Sequence, residues 1–192
     1  LGGQDGSFLA EFLLEKGYEV HGLVRREALE NPEDKLWRLQ PFIDDVVLHA
    51  NSLDNPAGIA RILEQVKPRE FYHLAAHSYV SYSFEDDFAV MSTNINTTLF
   101  VLAAIRQAVP QCRFYFAGSS ELFGIAPESP QDESTPFNPR TPYGISKLAG
   151  FHVTKAYRYT HGIFACNGIL FNHESPRRGL EFVTRKISRA VA

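Results

Sequence analysis

Four residues in this sequence have the types and spacing for acid–base chemistry on one substrate: Ser119, Glu121, Tyr143 and Lys147. Tyr143 and Lys147 stand four apart, so on a helix their side chains lie one above the other on one face. A free phenol ionises at about pH 10, too high for a base at neutral pH. A neighbouring ammonium favours the phenolate and brings its pKa toward the working range. The Ser119 hydroxyl can hydrogen-bond the same substrate oxygen that Tyr143 deprotonates. Glu121 follows Ser119 by two, and residues two apart in an extended strand point to the same side. A carboxylate there can remove the acidic proton α to a newly formed ketone, the first step in eliminating water. Gly118-Ser119-Ser120 is not a nucleophile elbow, since Gly-x-Ser-x-Gly is absent.

These residues need elements to hold them. Strand-like apolar runs lie at 18–24, 45–49, 70–75, 113–117 and 163–171, and helical patterns at 56–66, 88–109 and 143–160. Strand alternating with helix argues for a parallel sheet covered on both faces, and runs rich in Val, Ile, Leu and Phe fit doubly buried strands. Ser119 and Glu121 are expected at the end of the 113–117 strand, and Tyr143 and Lys147 at the start of the 143–160 helix. Between them the stretch 126–142 carries five prolines and reads as a loop at the carboxyl end of the sheet, where open α/β folds bind ligands.

Gly3, Gln4, Asp5 and Gly6 precede Phe8, Leu9, Phe12 and Leu13, which are expected to share one helical face, with Gly17 as the stop. This is the second half of a dinucleotide-binding turn, with a helix N-terminus facing the pyrophosphate. Its preceding strand and first glycine would lie upstream of Leu1. A plain helix start is the alternative. Arg25 and Arg26 stand about 20 residues on, where an NAD enzyme usually has Asp or Glu; guanidinium groups there suit a 2′-phosphate, hence NADP. Leu74, Ala75, Ala76, His77 and Ser78 are expected beside the ribose and nicotinamide. His73 and His77 are four apart but straddle a strand end, and no metal is expected.

The composition, 44% hydrophobic and 21% charged over 192 residues, is that of an ordinary globular protein of one domain, or one and a fraction. A net charge of −3 offers no argument for nucleic acid or an anionic membrane as partner. No unbroken apolar run approaches the length of a membrane span. Cys112 and Cys166 sit in apolar runs and read as reduced thiols, which points to the cytoplasm. The start inside a glycine turn and the end inside a helical pattern suggest a piece of a longer protein, unstable or inactive alone.

The run Phe171-Asn172-His173-Glu174-Ser175-Pro176-Arg177-Arg178-Gly179, with Phe182-Val183-Thr184-Arg185-Lys186-Ile187, closely resembles GDP-mannose 4,6-dehydratases. These belong to the short-chain dehydrogenase/reductase superfamily, which the Ser, Tyr-x-x-x-Lys and glycine-turn set also resembles. The likeness extends through Pro142-Tyr143-Gly144, Ser119-Ser120-Glu121-Leu122-Phe123-Gly124 and Gly3-Gln4-Asp5-Gly6-Ser7. It implies a Rossmann-like NADP-binding domain over 1–170, a doubly wound parallel sheet lacking its first strand, and the beginning of a smaller substrate domain over 171–192. It implies C4 oxidation, loss of water across C5 and C6, and hydride return to C6. In that cycle Ser119 bonds the 4-oxygen, Tyr143 takes its proton, Lys147 lowers the phenol pKa and holds the nicotinamide ribose, and Glu121 takes the C5 proton. Asn172 and Lys186 match positions that hold the substrate's nucleotide and phosphates; His173 and Arg178 match cofactor contacts. Ser78 is expected to touch substrate as well as cofactor. Ser52 and Leu53 would lie near the adenine, with Asn51-Ser52-Leu53 in place of a usual Gly-Asp-Leu. Glu27-Ala28 replace small hydroxyl residues that meet a neighbouring subunit, leaving the expected homo-oligomer, dimer or tetramer, open. Two other functions compete: a hydride-only nucleotide-sugar reductase or epimerase, and a dinucleotide-binding module without turnover.

Overall fold

The computed structural model describes residues 1–77 and 86–192. By its contacts the chain divides into two compact units, 1–52 with 172–192, and 53–171.

The first unit holds α1 (Gln4–Glu15), β1 (Val20–Val24), the short helices α2 (Arg26–Glu30) and α3 (Pro32–Lys35), a 3-10 helix (Gln40–Asp45), β2 (Val46–Ala50) and α7 (Val183–Val191). β1 and β2 pair in parallel, Val20 opposite Val46 through Val24 opposite Ala50. Ala10, Val20, Val24, Leu36, Leu39, Phe42 and Val46 form its core. The expected face of α1 is corrected. Phe8 and Phe12 are 41% and 51% exposed, while Gly6, Ser7 and Ala10 are buried. The small residues let the helix lie close to its neighbours: a Cβ on Gly6 would come within 2.4 Å of the Leu1 carbonyl oxygen. The two phenyl rings are covered instead by cations, Arg177 over Phe8 at 4.2 Å and Lys16 over Phe12 at 4.7 Å.

The second unit runs α4 (Pro56–Val66), β3 (Glu70–His73), α5 (Asp87–Ala108), β4 (Arg113–Ala117), a 3-10 helix (Ser120–Leu122), α6 (Pro142–His161) and β5 (Ala165–Gly168). The strands are parallel in the order β3-β4-β5. Helical crossovers are what parallel neighbours require. Ile59, Leu63, Val101, Leu102, Ile105, Phe114, Phe116 and Ile163 fill its core. The strand expected over 163–171 is only Ala165–Gly168, because its partner β4 ends at Ala117, opposite Gly168. α5 has the length and mean composition to cross a membrane, although Thr and Asn interrupt its apolar residues. Among its side chains Val101, Leu102 and Ile105 are fully buried in this core. Both cysteines are free thiols, and burial, with the Glu70 carboxylate adding, pushes Cys112 up to about 11.

Candidate active site

Tyr143 enters the first turn of α6 because Thr141 caps it: the Thr141 Oγ1 accepts from Gly144 N–H at 2.9 Å, and Pro142 occupies the first position, where no N–H is needed. One turn on, Lys147 is 4% exposed, and its Nζ donates to the Ala117 carbonyl at 2.7 Å. The ammonium lies 5.8 Å from the centre of the Tyr143 ring and 5.1 Å from that of Phe116. The spacing of four thus places both groups on one face, turned toward the end of β4. Gly150 makes that approach possible, since a Cβ there would stand 2.4 Å from the Phe116 ring.

Ser119 and Glu121 do not lie on a strand. β4 stops at Ala117, and Ser119 becomes the cap of the 3-10 helix, its Oγ accepting from Glu121 N–H at 3.2 Å. The reason is local: the Ser119 hydroxyl accepts an N–H that the start of a turn leaves free. Strand alternation therefore does not orient Glu121. The turn is instead pressed against α6, where a Cβ on Gly144 would come 2.8 Å from the Glu121 carbonyl oxygen. The structure so brings Ser119, the Glu121 backbone, Tyr143 and Lys147 to one place. The proline-rich stretch lacks helix and strand from 123 to 141. It is tied down by Asn138 N–H to Leu122 carbonyl at 3.0 Å and Thr135 Oγ1 to Glu128 Oε1 at 2.9 Å.

After β3, Leu74 and Ala76 are half-buried, Ala75 and His77 exposed. Ser78 lies outside the described residues. Asn94 on α5 grips the His77 backbone twice, accepting its N–H at 2.9 Å and donating to its carbonyl at 3.2 Å. The same amide donates to Ser146 Oγ at 3.0 Å, and Ser146 donates to the Tyr143 carbonyl at 2.7 Å. Sequence reasoning missed Asn94; it stands in the polar run 92–98 of α5 beside Asn96, and nothing local singles it out. The buried His73 ring is held down to about 3, by desolvation first and by the Lys147 charge second, so it is neutral. Its Nε2 sits 3.2 Å from Thr98 Oγ1. Leu53, half-buried, offers its carbonyl to Thr97.

In the first unit Gly3 caps α1, and a Cβ added to it would meet nothing within 4 Å. The N–H groups of a first helical turn and the positive end of the helix dipole favour an anionic group at such a position. His173 Nε2 lies 2.8 Å from Asp5 Oδ1, and Gln4 bonds both the His173 carbonyl and the Ser175 hydroxyl. The 173–178 loop is thereby fastened to the glycine turn. Arg178 stacks on Phe182 at 3.5 Å and pairs with Glu174. Arg177 points inward to Glu11 at 2.6 Å and to Ser7. Arg38, which sequence reasoning also missed, donates to the Arg177 and Gly2 carbonyls. Arg25 caps α2 and Arg26 begins it; both are exposed, as are Ser52, Asn172 and Lys186.

Parallel strands joined by helices, with a glycine turn at the head of α1, define a Rossmann-type α/β fold. The dTDP-glucose 4,6-dehydratase DesIV of Streptomyces venezuelae, solved with NAD and TYD bound, superposes with a TM-score of 0.86 at 24% identity over 99% of this chain and 59% of that one. The UDP-glucuronic acid 4-epimerase of Bacillus cereus, solved with UDP-glucuronic acid and NAD, gives 0.85 at 22% identity, over 99% and 60%. The chain belongs to the GDP-mannose 4,6 dehydratase family, whose profile matches residues 1–192. It is 50% identical to the GDP-mannose 4,6-dehydratase of Vibrio cholerae serotype O1 over 99% of this chain and 52% of that protein. To the GDP-mannose 4,6 dehydratase of Homo sapiens it is 48% identical, over 99% and 53%. The chain spans about half the length of these curated relatives.

Proposed function

We propose that the protein is a hydro-lyase converting GDP-D-mannose to GDP-4-dehydro-6-deoxy-D-mannose with a recycled NADP. The observation that carries this reading is the Lys147 ammonium fixed by Ala117 beneath the Tyr143 ring, with the Ser119–Glu121 turn packed against the same first turn of α6. Family membership supports the substrate. The N-terminus of α1 with Gly3, Gln4, Asp5 and Gly6, and the exposed Arg25 and Arg26, suit a dinucleotide bearing a 2′-phosphate. Ser52, Leu53, Leu74, Ala75, Ala76, His77, Ser78, His173 and Arg178 complete the cofactor's surroundings, and Asn172 and Lys186 those of the substrate. When bound, the nicotinamide supplies a hydride acceptor at C4 and a hydride donor at C6.

The chain's own residues move the protons. Tyr143, as phenolate, takes the proton of the 4-hydroxyl while Ser119 holds that oxygen. Lys147 keeps the phenolate low in energy. Glu121 takes the C5 proton, made acidic by the neighbouring ketone, and returns it to the departing C6 oxygen, which leaves as water. C5 finally receives a proton from solvent, balancing the one Tyr143 took from O4 and releases. The division into a cofactor domain over 1–170 and a substrate domain beginning at 171, assembly as a homo-oligomer and a cytoplasmic location belong to the same reading.

The test is turnover of GDP-mannose by the full-length protein in deuterated water. One deuterium at C5 of the product is expected, and hydride-only chemistry leaves C5 unlabelled. Glu121→Gln is expected to bind GDP-mannose with unchanged affinity and to lose dehydration by roughly 100-fold or more.

A further inference from the structure

Away from that site, two histidines face each other across the parallel strands of the first unit. His21 lies on β1 and His49 on β2; His49 pairs in register with Leu23, two residues beyond His21, so both imidazoles stand on one face of the sheet. His21 Nδ1 is 2.9 Å from His49 Nε2, with the rings 18° from parallel and their centres 5.2 Å apart. The other nitrogen of His21, Nε2, is 3.0 Å from Glu19 Oε1. An ionised carboxylate only accepts, so His21 Nε2 carries the proton and Nδ1 presents its lone pair toward His49. A carboxylate behind one nitrogen of an imidazole is what orients metal-binding histidines: it fixes the tautomer and makes the free nitrogen a better ligand. The His21 side chain is 22% exposed and that of Glu19 80% exposed, so water and ions reach the pair.

The 2.9 Å spacing is that of a hydrogen bond between the rings, and an ion that takes the place of its proton must suit it. At a metal–nitrogen distance of about 2.0–2.1 Å, two ligands at right angles stand about 2.9 Å apart, and two at the tetrahedral angle about 3.4 Å. The observed separation of 2.9 Å matches the right-angled case. We propose that His21 and His49 form a two-imidazole site for a tetragonal divalent transition cation, Cu(II) or Ni(II), with Glu19 holding His21 from behind. Among the described residues no three His, Cys, Asp or Glu side chains converge on one ion, so water supplies the remaining ligands. Rotation of both rings turns the two lone pairs from one another to a shared point. Binding displaces the proton on His49 Nε2, which passes by way of solvent to His49 Nδ1, so both rings ligate as neutral imidazoles. Mg(II) and Ca(II), which prefer oxygen, are poor occupants. The bound ion clamps β1 to β2, and none of this depends on the dehydratase reading.

The experiment uses full-length protein free of any affinity tag, stripped with a chelator and titrated with Cu(II), Ni(II) and Mg(II) against a chromophoric competitor. Wild type is expected to bind one equivalent of Cu(II) or Ni(II) that His21→Gln and His49→Gln both lose. Glu19→Gln should keep that equivalent with affinity lowered about 10–100-fold. Absence of the equivalent in wild type, its survival in both histidine variants, or equal binding of Mg(II) overturns the proposal. Where a histidine variant does not fold, electron paramagnetic resonance of Cu(II)-loaded wild type decides. Two equatorial imidazole nitrogens are expected; one or none overturns it.

Discussion

Lys147 is a charged group almost wholly removed from water, and it is tolerable there because its Nζ donates to the Ala117 carbonyl and faces two aromatic rings. At this scale the juxtaposition of Lys147 and Tyr143 was already legible. Tyr and Lys four apart on a helix must share a face, and they do. Glu121 was legible as a type but not in its placing, because a hydroxyl cap rather than a strand shapes residues 119–121. Lys147→Met removes the charge beside Tyr143 that, in the proposed mechanism, favours the phenolate. Full-length Lys147→Met is expected to lose roughly 100-fold or more in kcat at pH 7, with the rising limb of its pH–rate profile moved to higher pH. A profile merely scaled down, with its limb unmoved, contradicts this role.

At the scale of elements, α6 carries half of the site, and its seat is set by what is missing from two positions. Gly144 admits the Glu121 carbonyl and Gly150 admits the Phe116 ring. Gly150→Val would drive the helix off β4 and is expected to destabilise the protein by about 1–3 kcal/mol, read by urea unfolding. Thr141→Ala, losing only the cap of the same helix, should cost about 1 kcal/mol in the same measurement. The bounds of α4 and β4 could be read directly from Pro56 after Asn55 and from the apolar run at 113–117. The buried face of α1 could not, because its phenylalanines gain cover from Lys16 and Arg177, and Arg177 is distant in sequence.

For the whole molecule, pH enters through His73. Its folded value, about 3, lies below the ordinary 6.5, so between these limits the unfolded chain binds a proton that the folded chain refuses. Stability therefore falls as pH drops from 6.5 toward 3, by up to about 1.4 kcal/mol per unit from this one group. Denaturant unfolding of the full-length protein across that range, with His73→Gln flattening the slope, is the check. Cofactor choice also belongs to this scale: NADP is expected to raise the melting temperature of the full-length protein more than NAD does. An equal shift would deprive Arg25 and Arg26 of their proposed part.

The residues themselves, through hydrophobic period, helix caps and the four-residue step from Tyr143 to Lys147, determined the alternation of strand and helix and the shared face of those two side chains. Those are local properties, written within a few turns of chain. Only the folded structure decided where β5 ends, which side of α1 is buried, how Asn94 joins the loop after β3 to α6, and that His21 and His49 face one another. Each of these depends on a partner more than 15 residues away. Which distant partner is met depends on register and close packing between elements, and no local pattern of residues encodes that.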